Sequence, residues 1–311
     1  QTRLVCGLRI DQVTADTGRA DEATMGGNGP TPRQLWTRYY GDNEVSWSDT
    51  DVGGLLRFEH ATGSWSLNAG VSRTARVADA TERYLGANSS MAPMRWVGNP
   101  ALEPARFHQL DLGAGWSSGG SRFDAALFAA DVDGFLLADR ARGQSGIEQV
   151  DGARIYRNVD ARRYGFELDG VVRTRGPLVL SGGLSWVWAE NTTDDRPIAQ
   201  TPPLTGRVTT TWQDARWSLS GTVRFAAEQN RVDDSPMTGS GLDGSETPGW
   251  ATFDLEGRYR FTERLEVRGG LRNLFDSTYA VHVNRTNLFE VTPQKIYEPG
   301  RSIWVALNLA Y

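Results

Sequence analysis

The chain has 311 residues with 33 basic and 38 acidic side chains, a formal net charge of −5, and a mean hydropathy of −0.45. No run approaches the roughly 18 consecutive apolar residues of a membrane-spanning helix, which excludes a helical membrane protein but not a β-barrel, whose strands alternate apolar and polar residues. The acidic balance argues against a nucleic-acid partner, and the single cysteine, Cys6, makes neither an internal disulfide nor a thiolate metal cluster.

The opening residues, Gln1-Thr2-Arg3-Leu4-Val5, lack a charged segment followed by an apolar one, so either a signal peptide has been removed or this is not the natural start. Period two begins at once: Leu4, Cys6, Leu8 and Ile10 oppose Arg3, Arg9 and Asp11. Further along, Trp217, Leu219, Gly221, Val223 and Phe225 oppose Ser218, Ser220, Thr222, Arg224 and Ala226, and Ala251, Phe253, Leu255, Gly257, Tyr259 and Phe261 oppose Thr252, Asp254, Glu256, Arg258 and Arg260. Leu265, Val267 and Leu271 oppose Glu266, Arg268 and Arg272, and the chain closes on Ile303, Val305, Leu307, Leu309 and Tyr311. Such segments predict about twelve strands, near 3–14, 51–60, 64–75, 105–117, 121–137, 152–174, 178–190, 204–213, 216–228, 250–262, 264–275 and 301–311. Tight turns such as Ala61-Thr62-Gly63, Ser117-Ser118-Gly119-Gly120, Arg175-Gly176-Pro177, Gln213-Asp214-Ala215 and Thr262-Glu263 alternate with long polar connections at 15–50, 76–104, 138–151, 191–203, 229–249 and 276–300.

Short turns on one side and long loops on the other predict an all-β fold, an antiparallel transmembrane β-barrel with a wet, polar lumen. A soluble β-sandwich also alternates, but the polar face here is too charged to pack on a second sheet. Trp65, Trp116, Phe123, Trp212, Trp217, Phe261 and Tyr311 lie close to the short turns, as an interfacial girdle requires.

Several segments carry a resemblance. Arg83-Tyr84, Val97-Gly98-Asn99-Pro100-Ala101-Leu102-Glu103-Pro104 and Gln109-Leu110-Asp111-Leu112-Gly113 resemble motifs of TonB-dependent outer-membrane receptors. So do Arg157-Asn158-Val159-Asp160-Ala161 with Gly165-Phe166-Glu167, and Asn273-Leu274-Phe275-Asp276-Ser277-Thr278-Tyr279 followed by Glu298-Pro299-Gly300-Arg301. Together they cover nearly the whole chain. Glu190-Asn191 with Asp195 through Leu204, and Ala227 through Asp233, are more similar to the copper-receptor branch than to the ferric-siderophore branch. The resemblance implies a 22-stranded barrel in outer-membrane lipid, an N-terminal plug inside it, and energy drawn from the TonB-ExbB-ExbD complex. It implies no tightly bound cofactor and no enzymatic activity, the cargo being a copper ion or another metal or metal chelate. No plug or TonB box is evident in the sequence, and at about 26 residues per strand and loop the chain reads as the C-terminal half of such a receptor, one barrel domain over residues 1–311.

All four methionines, Met25, Met91, Met94 and Met237, fall in predicted long loops. Thioether sulfur is a soft ligand suited to Cu(I), and Met91 and Met94 are spaced to act together, although methionine also serves as flexible apolar filler. Among three histidines, His60 sits beside a short turn and His108 on the outward face, leaving His282, with Asn284 and Arg285, as the loop histidine for a ligand contact; Trp96 and Arg285 are further loop contacts. Asp194-Asp195 and Asp233-Asp234 lack the register of a calcium loop and read as solvated surface. Arg207, Arg224, Arg258, Arg268 and Arg272 alternate with Asp254, Glu256 and Glu266 as a cross-strand charge ladder on the lumen wall. Gly113-Ala114-Gly115 is followed by no helix and is no dinucleotide site. An autonomous twelve-stranded pore is the alternative, and an outer-membrane hydrolase a weaker one, because no outward serine lies beside His108. The pore requires the first and last strands to pair with each other; open edges there speak for a partial barrel.

Overall fold

The computed structural model describes residues 1–23, 29–284, 286–287 and 294–310. Twelve long strands form one antiparallel meander in which each strand pairs with its neighbours in sequence. They are β1 (Thr2–Asp16), β2 (Ser46–Thr62), β3 (Trp65–Arg76), β4 (Ala105–Ser118), β5 (Ser121–Arg140), β6 (Arg154–Arg173), β7 (Leu178–Asn191), β8 (Thr205–Gln213), β9 (Trp217–Ala226), β10 (Trp250–Arg260), β11 (Leu265–Arg272) and β12 (Ser302–Leu309). The expected strands are all present, displaced at their ends by a few residues.

The alternation places one apolar row outward. Leu4, Leu8, Ile10, Val71, Leu127, Leu219, Ile303 and Val305 are all exposed, up to 78 % for Leu8. So continuous an apolar surface is stable against hydrocarbon rather than water. No second sheet covers it among the described residues, which removes the sandwich reading. Near the short turns Trp65, Phe123, Trp212, Trp217 and Phe261 are exposed on the same surface; Trp217 lies 4.4 Å from Tyr259, which lies 4.6 Å from Phe261. Tyr311 lies outside the described residues.

Among the described residues β1 pairs only with β2, and β12 only with β11. The sheet is an open, partial barrel, and the autonomous closed pore is not what this chain forms. Each unpaired backbone group on such an edge would cost several kcal/mol in lipid, so a wall of this kind needs further strands to close it.

β5 and β6 run for 20 residues each, about twice what crosses a bilayer. Their upper halves therefore stand clear of lipid. A bulge between Val132 and Phe135, at Gly134 with φ +67°, shifts the register there and brings Asp139 opposite Ile155 and Arg140 opposite Arg154.

The connections expected to be plain polar loops contain two buried cores, which corrects that expectation. Helix α1 (Pro32–Tyr40) starts on a Thr31/Gln34 capping box and ends on Gly41 at φ +68°. It presents Leu35, Trp36 and Tyr39 to Val97, Ala141, Ile147, Ala153 and Ile155. A second core gathers Leu102, Ala105, Val132, Leu136 and Tyr156 with Ala78, which lies just ahead of helix α2 (Ala80–Tyr84). Arg83 of α2 is wholly buried, its guanidinium 4.0 Å over the Trp47 ring and bonded to the Pro100 carbonyl at 2.6 Å.

Candidate functional site

The polar face of the sheet follows from the same alternation. Arg224 pairs with Asp254 at 3.4 Å, and Glu266 gathers Arg268 at 2.7 Å, Arg258 at 3.7 Å and Arg260 at 3.8 Å. The remaining ladder residues are not joined in this way. Arg207 faces Arg224 directly, Glu256 lies opposite Ser220 and Gly270, and Arg272 reaches over the Trp304 ring at 6.0 Å; none of the three has an ion-pair partner among the described residues. The ladder is thus local to β9–β11. On β4–β6 acids outnumber bases on the inner face: Asp111, Asp124, Glu167 and Asp169, with the single arginine Arg163, line a concavity of about 770 Å³, with Asp124 directly opposite Asp169 and ion-paired to Arg122.

At the long-loop end, ion pairs converge where the loops meet. Asp139, at the top of β5 and with its side chain fully buried, receives Arg157 Nε and Arg196 Nη2, both at 2.7 Å. Arg196 Nη1 also donates to both Asp233 carboxylate oxygens, at 2.8 and 2.9 Å, and Nε reaches Asp194 at 3.3 Å; Arg157 binds Asp194 as well. The Asp233 carboxylate also accepts the Ser240 N–H, and Asp243 accepts the N–H groups of Asp233 and Gln200. Asp233 is 4 % exposed. It is not solvated surface as the acidic pair suggested: its neighbour Asp234 faces water while Asp233 turns inward onto Arg196.

Burial pushes the Asp194 carboxyl up, but hydrogen bonds from Arg157 and Asn191, with the charges of Arg157 and Arg196, outweigh it and hold it below the usual aspartate range. At Asp243, burial is likewise outweighed by the His282 ring and the two backbone N–H groups. A carboxylate depressed in the folded state stabilises fully above its unfolded value of about 3.9, and that contribution fades as pH falls through the lower folded value. Amide-exchange protection of residues 191–203 and 229–249 should therefore stay level from about pH 7 to 5 and decline below about pH 4. A decline already complete at pH 6 would contradict this assignment.

His282 lies inside this cluster and not at the mouth. Its Nδ1 accepts from Lys295 Nζ at 2.9 Å and lies 2.9 Å from Thr247 Oγ1, while Nε2 is 3.6 Å from Asp243, too long for a hydrogen bond. The side chain is 1 % exposed. Asn284 is occupied by the Ile296 carbonyl and Glu298, and Arg285 lies outside the described residues, as does Met25. His60 contacts Thr2 at 2.8 Å and stacks on Phe58; His108 meets Asp133 at 3.3 Å on the outer face. Trp96 is half-buried against Tyr156 at 6.3 Å. No group of three or more His, Cys, Asp or Glu side chains suited to a metal ion occurs among the described residues.

The methionines are arranged differently. Met91 and Met94 bracket a single 3₁₀ turn closed by the Met94 N–H on the Met91 carbonyl at 3.0 Å, a geometry in which residues three apart eclipse. Met237 sits on a turn capped by Ser235. Arg140 Nη1 holds the Pro93 carbonyl at 2.8 Å and Arg142 Nη1 the Gly239 carbonyl at 2.5 Å, so both methionine-bearing loops are tied to the end of β5. Met91, Met94 and Met237 are 54, 66 and 80 % exposed on that rim. The buried network and α1 escaped the sequence reading, though a capping box ahead of Leu35, Trp36 and Tyr39 was a legible signal for the helix.

The family model described as "TonB dependent receptor-like, beta-barrel" matches residues 1–274. Among solved structures, the whole chain superimposes on 45 % of the copper transporter OprC with a TM-score of 0.81 and 27 % identity. A ferric enterobactin receptor, PfeA of Pseudomonas aeruginosa, matches 85 % of the chain over 42 % of its own length at TM-score 0.66 and 21 % identity, and the FrpB iron transporter of Neisseria meningitidis matches 99 % over 43 % at 0.68 and 14 %. The chain thus spans about half the length of these receptors. Their family consists of transport receptors of the bacterial outer membrane, and with a family match over most of its length this chain belongs to the TonB-dependent receptor β-barrel family.

Proposed function

We propose that this chain is the loop-bearing wall of an outer-membrane importer of copper, closed and plugged by segments outside residues 1–311 and driven through the TonB-ExbB-ExbD complex. The observation that carries this reading is the match to the copper transporter OprC over the whole chain at 27 % identity, where the iron receptors named above reach 21 % or less. Three exposed thioethers on one rim supply the soft donors that Cu(I) prefers. Below them the acidic inner wall of β4–β6 suits a cation passing inward.

The test is the triple variant Met91→Leu, Met94→Leu, Met237→Leu in the receptor that carries this chain, which keeps apolar volume and removes sulfur. Copper uptake under copper limitation should fall severalfold, with growth on ferric chelates unchanged. Unaltered copper uptake would remove the methionines from the reading, and loss of ferric-chelate growth alone would transfer the cargo to iron.

A further inference from the structure

Arg140, Arg142 and Arg154 crowd the head of β5 and β6 without an ion-pair partner among the described residues. Arg140 and Arg154 are direct cross-strand partners, an arrangement that is repulsive unless an anion intervenes. Their fixed contacts are to carbonyls: Arg140 Nη1 to Pro93 at 2.8 Å and Gly152 at 3.1 Å, and Arg142 Nη1 to Gly239 at 2.5 Å. Arg154 lies 5.7 Å over the Trp96 ring. Carbonyls and a ring hold the guanidinium groups in place but do not neutralise them. Burial, then the charges of Arg154 and Arg142, hold the Arg140 guanidinium below the usual arginine range.

The unused edge of Arg140 is its Nε–Nη2 fork, the pair of parallel donors that matches two oxygens of one anion. It faces Gly241, where a Cβ would lie 2.8 Å from Nε and 3.3 Å from Nη2. Glycine leaves that edge uncovered.

We propose that Arg140, Arg142 and Arg154, opened by Gly241, form a binding site for a phosphate-type oxyanion that bridges the loops 77–104, 141–153 and 227–249. The same phosphoryl chemistry comes from a soluble phosphate or from the phosphorylated headgroup of an outer-leaflet glycolipid. The site uses no sulfur and does not rest on the copper reading, although Arg140 and Arg142 also hold the two methionine-bearing loops.

The experiment titrates inorganic phosphate into the detergent-solubilised receptor carrying this chain, at low salt, by calorimetry. Arg140→Gln/Arg142→Gln/Arg154→Gln should weaken binding at least tenfold, and raised salt should weaken the wild type. Arg140→Lys, which keeps charge without the fork, and Gly241→Ala, which keeps every charge but covers the fork, should each weaken binding severalfold. A second arm compares phosphatidylcholine vesicles with and without a bisphosphorylated glycolipid: preferential binding to the glycolipid assigns the lipid source, and phosphate binding without that preference assigns the soluble one. The variant Met91→Leu/Met94→Leu/Met237→Leu, which keeps all three arginines, should bind phosphate as the wild type does, so a failed phosphate result leaves the copper reading standing, and the reverse. Equal phosphate binding by wild type and triple variant, both confirmed folded by heat-modifiable gel migration, overturns the proposal.

Discussion

Replacing Arg196 with methionine is expected to free the loops over β5–β10 while leaving the barrel wall intact. The substitution keeps most of the side chain's volume but withdraws the cation that serves Asp139, Asp194 and Asp233 together. Burial works against the Arg196 charge, and those three carboxylates outweigh it, so its proton is held more tightly than usual. Without it, Arg157 alone serves Asp139 and Asp194, and Asp233, whose side chain is 3 % exposed, keeps only the Ser240 N–H among the described residues. Breaking a buried pair from one side costs about 3–5 kcal/mol, far above the 0–1 kcal/mol of an exposed pair. Amide exchange in the receptor should show residues 191–203 and 229–249 losing several hundredfold protection, with β8–β11 unchanged. Adding Asp233→Asn should restore part of the loss, because the orphaned charge goes with it. Full protection in the single variant would show that the ion pairs do not hold these loops.

Trp36→Ala should be comparably damaging to the other side of the rim. Trp36 is fully buried, donates its indole N–H to the Leu85 carbonyl at 3.2 Å and packs 5.7 Å from Tyr84. Truncating a buried tryptophan to alanine costs about 3–5 kcal/mol from lost burial and the cavity left behind. The helix is nine residues long and too short to persist undocked, so its amides should exchange as an unfolded segment while β1–β3 remain protected. Tyr40→Phe is the graded control. It removes only the hydroxyl that donates to the Val97 carbonyl at 2.8 Å and accepts the Tyr156 N–H, and should cost about 1 kcal/mol. If the two variants exchanged alike, α1 would not be anchored by its apolar face.

Strand positions were legible because the signal is local. Alternate side chains of a strand leave on opposite faces, so Trp217 to Phe225 or Leu4 to Ile10 report their environment two residues at a time. The short turns were legible for the same reason, their Gly, Pro and Asp residues acting within three or four positions. Part of the inner-wall ladder was legible too, since Arg224 and Asp254 share the phase opposite the apolar row. Which charges would meet was less so: Glu256 has the same phase but faces Ser220 and Gly270.

The loops differ because their partners are distant in sequence. Asp139 meets Arg196 across 57 positions, and the Tyr39 hydroxyl meets Asp151 across 112. Nothing near Asp233 marks it as buried and Asp234 as exposed, and nothing near His282 shows that Lys295 and Thr247 occupy its ring. By itself the sequence determined the alternating wall, its two-sided loop lengths and the lipid-facing surface, because period-two burial against one apolar and one wet side is written residue by residue. The tertiary structure alone decided the buried ion network, the docked helix, the shared methionine rim and the uncompensated arginines. These depend on how far β5 and β6 rise and on the register shift at Gly134, which together set which loop tips converge.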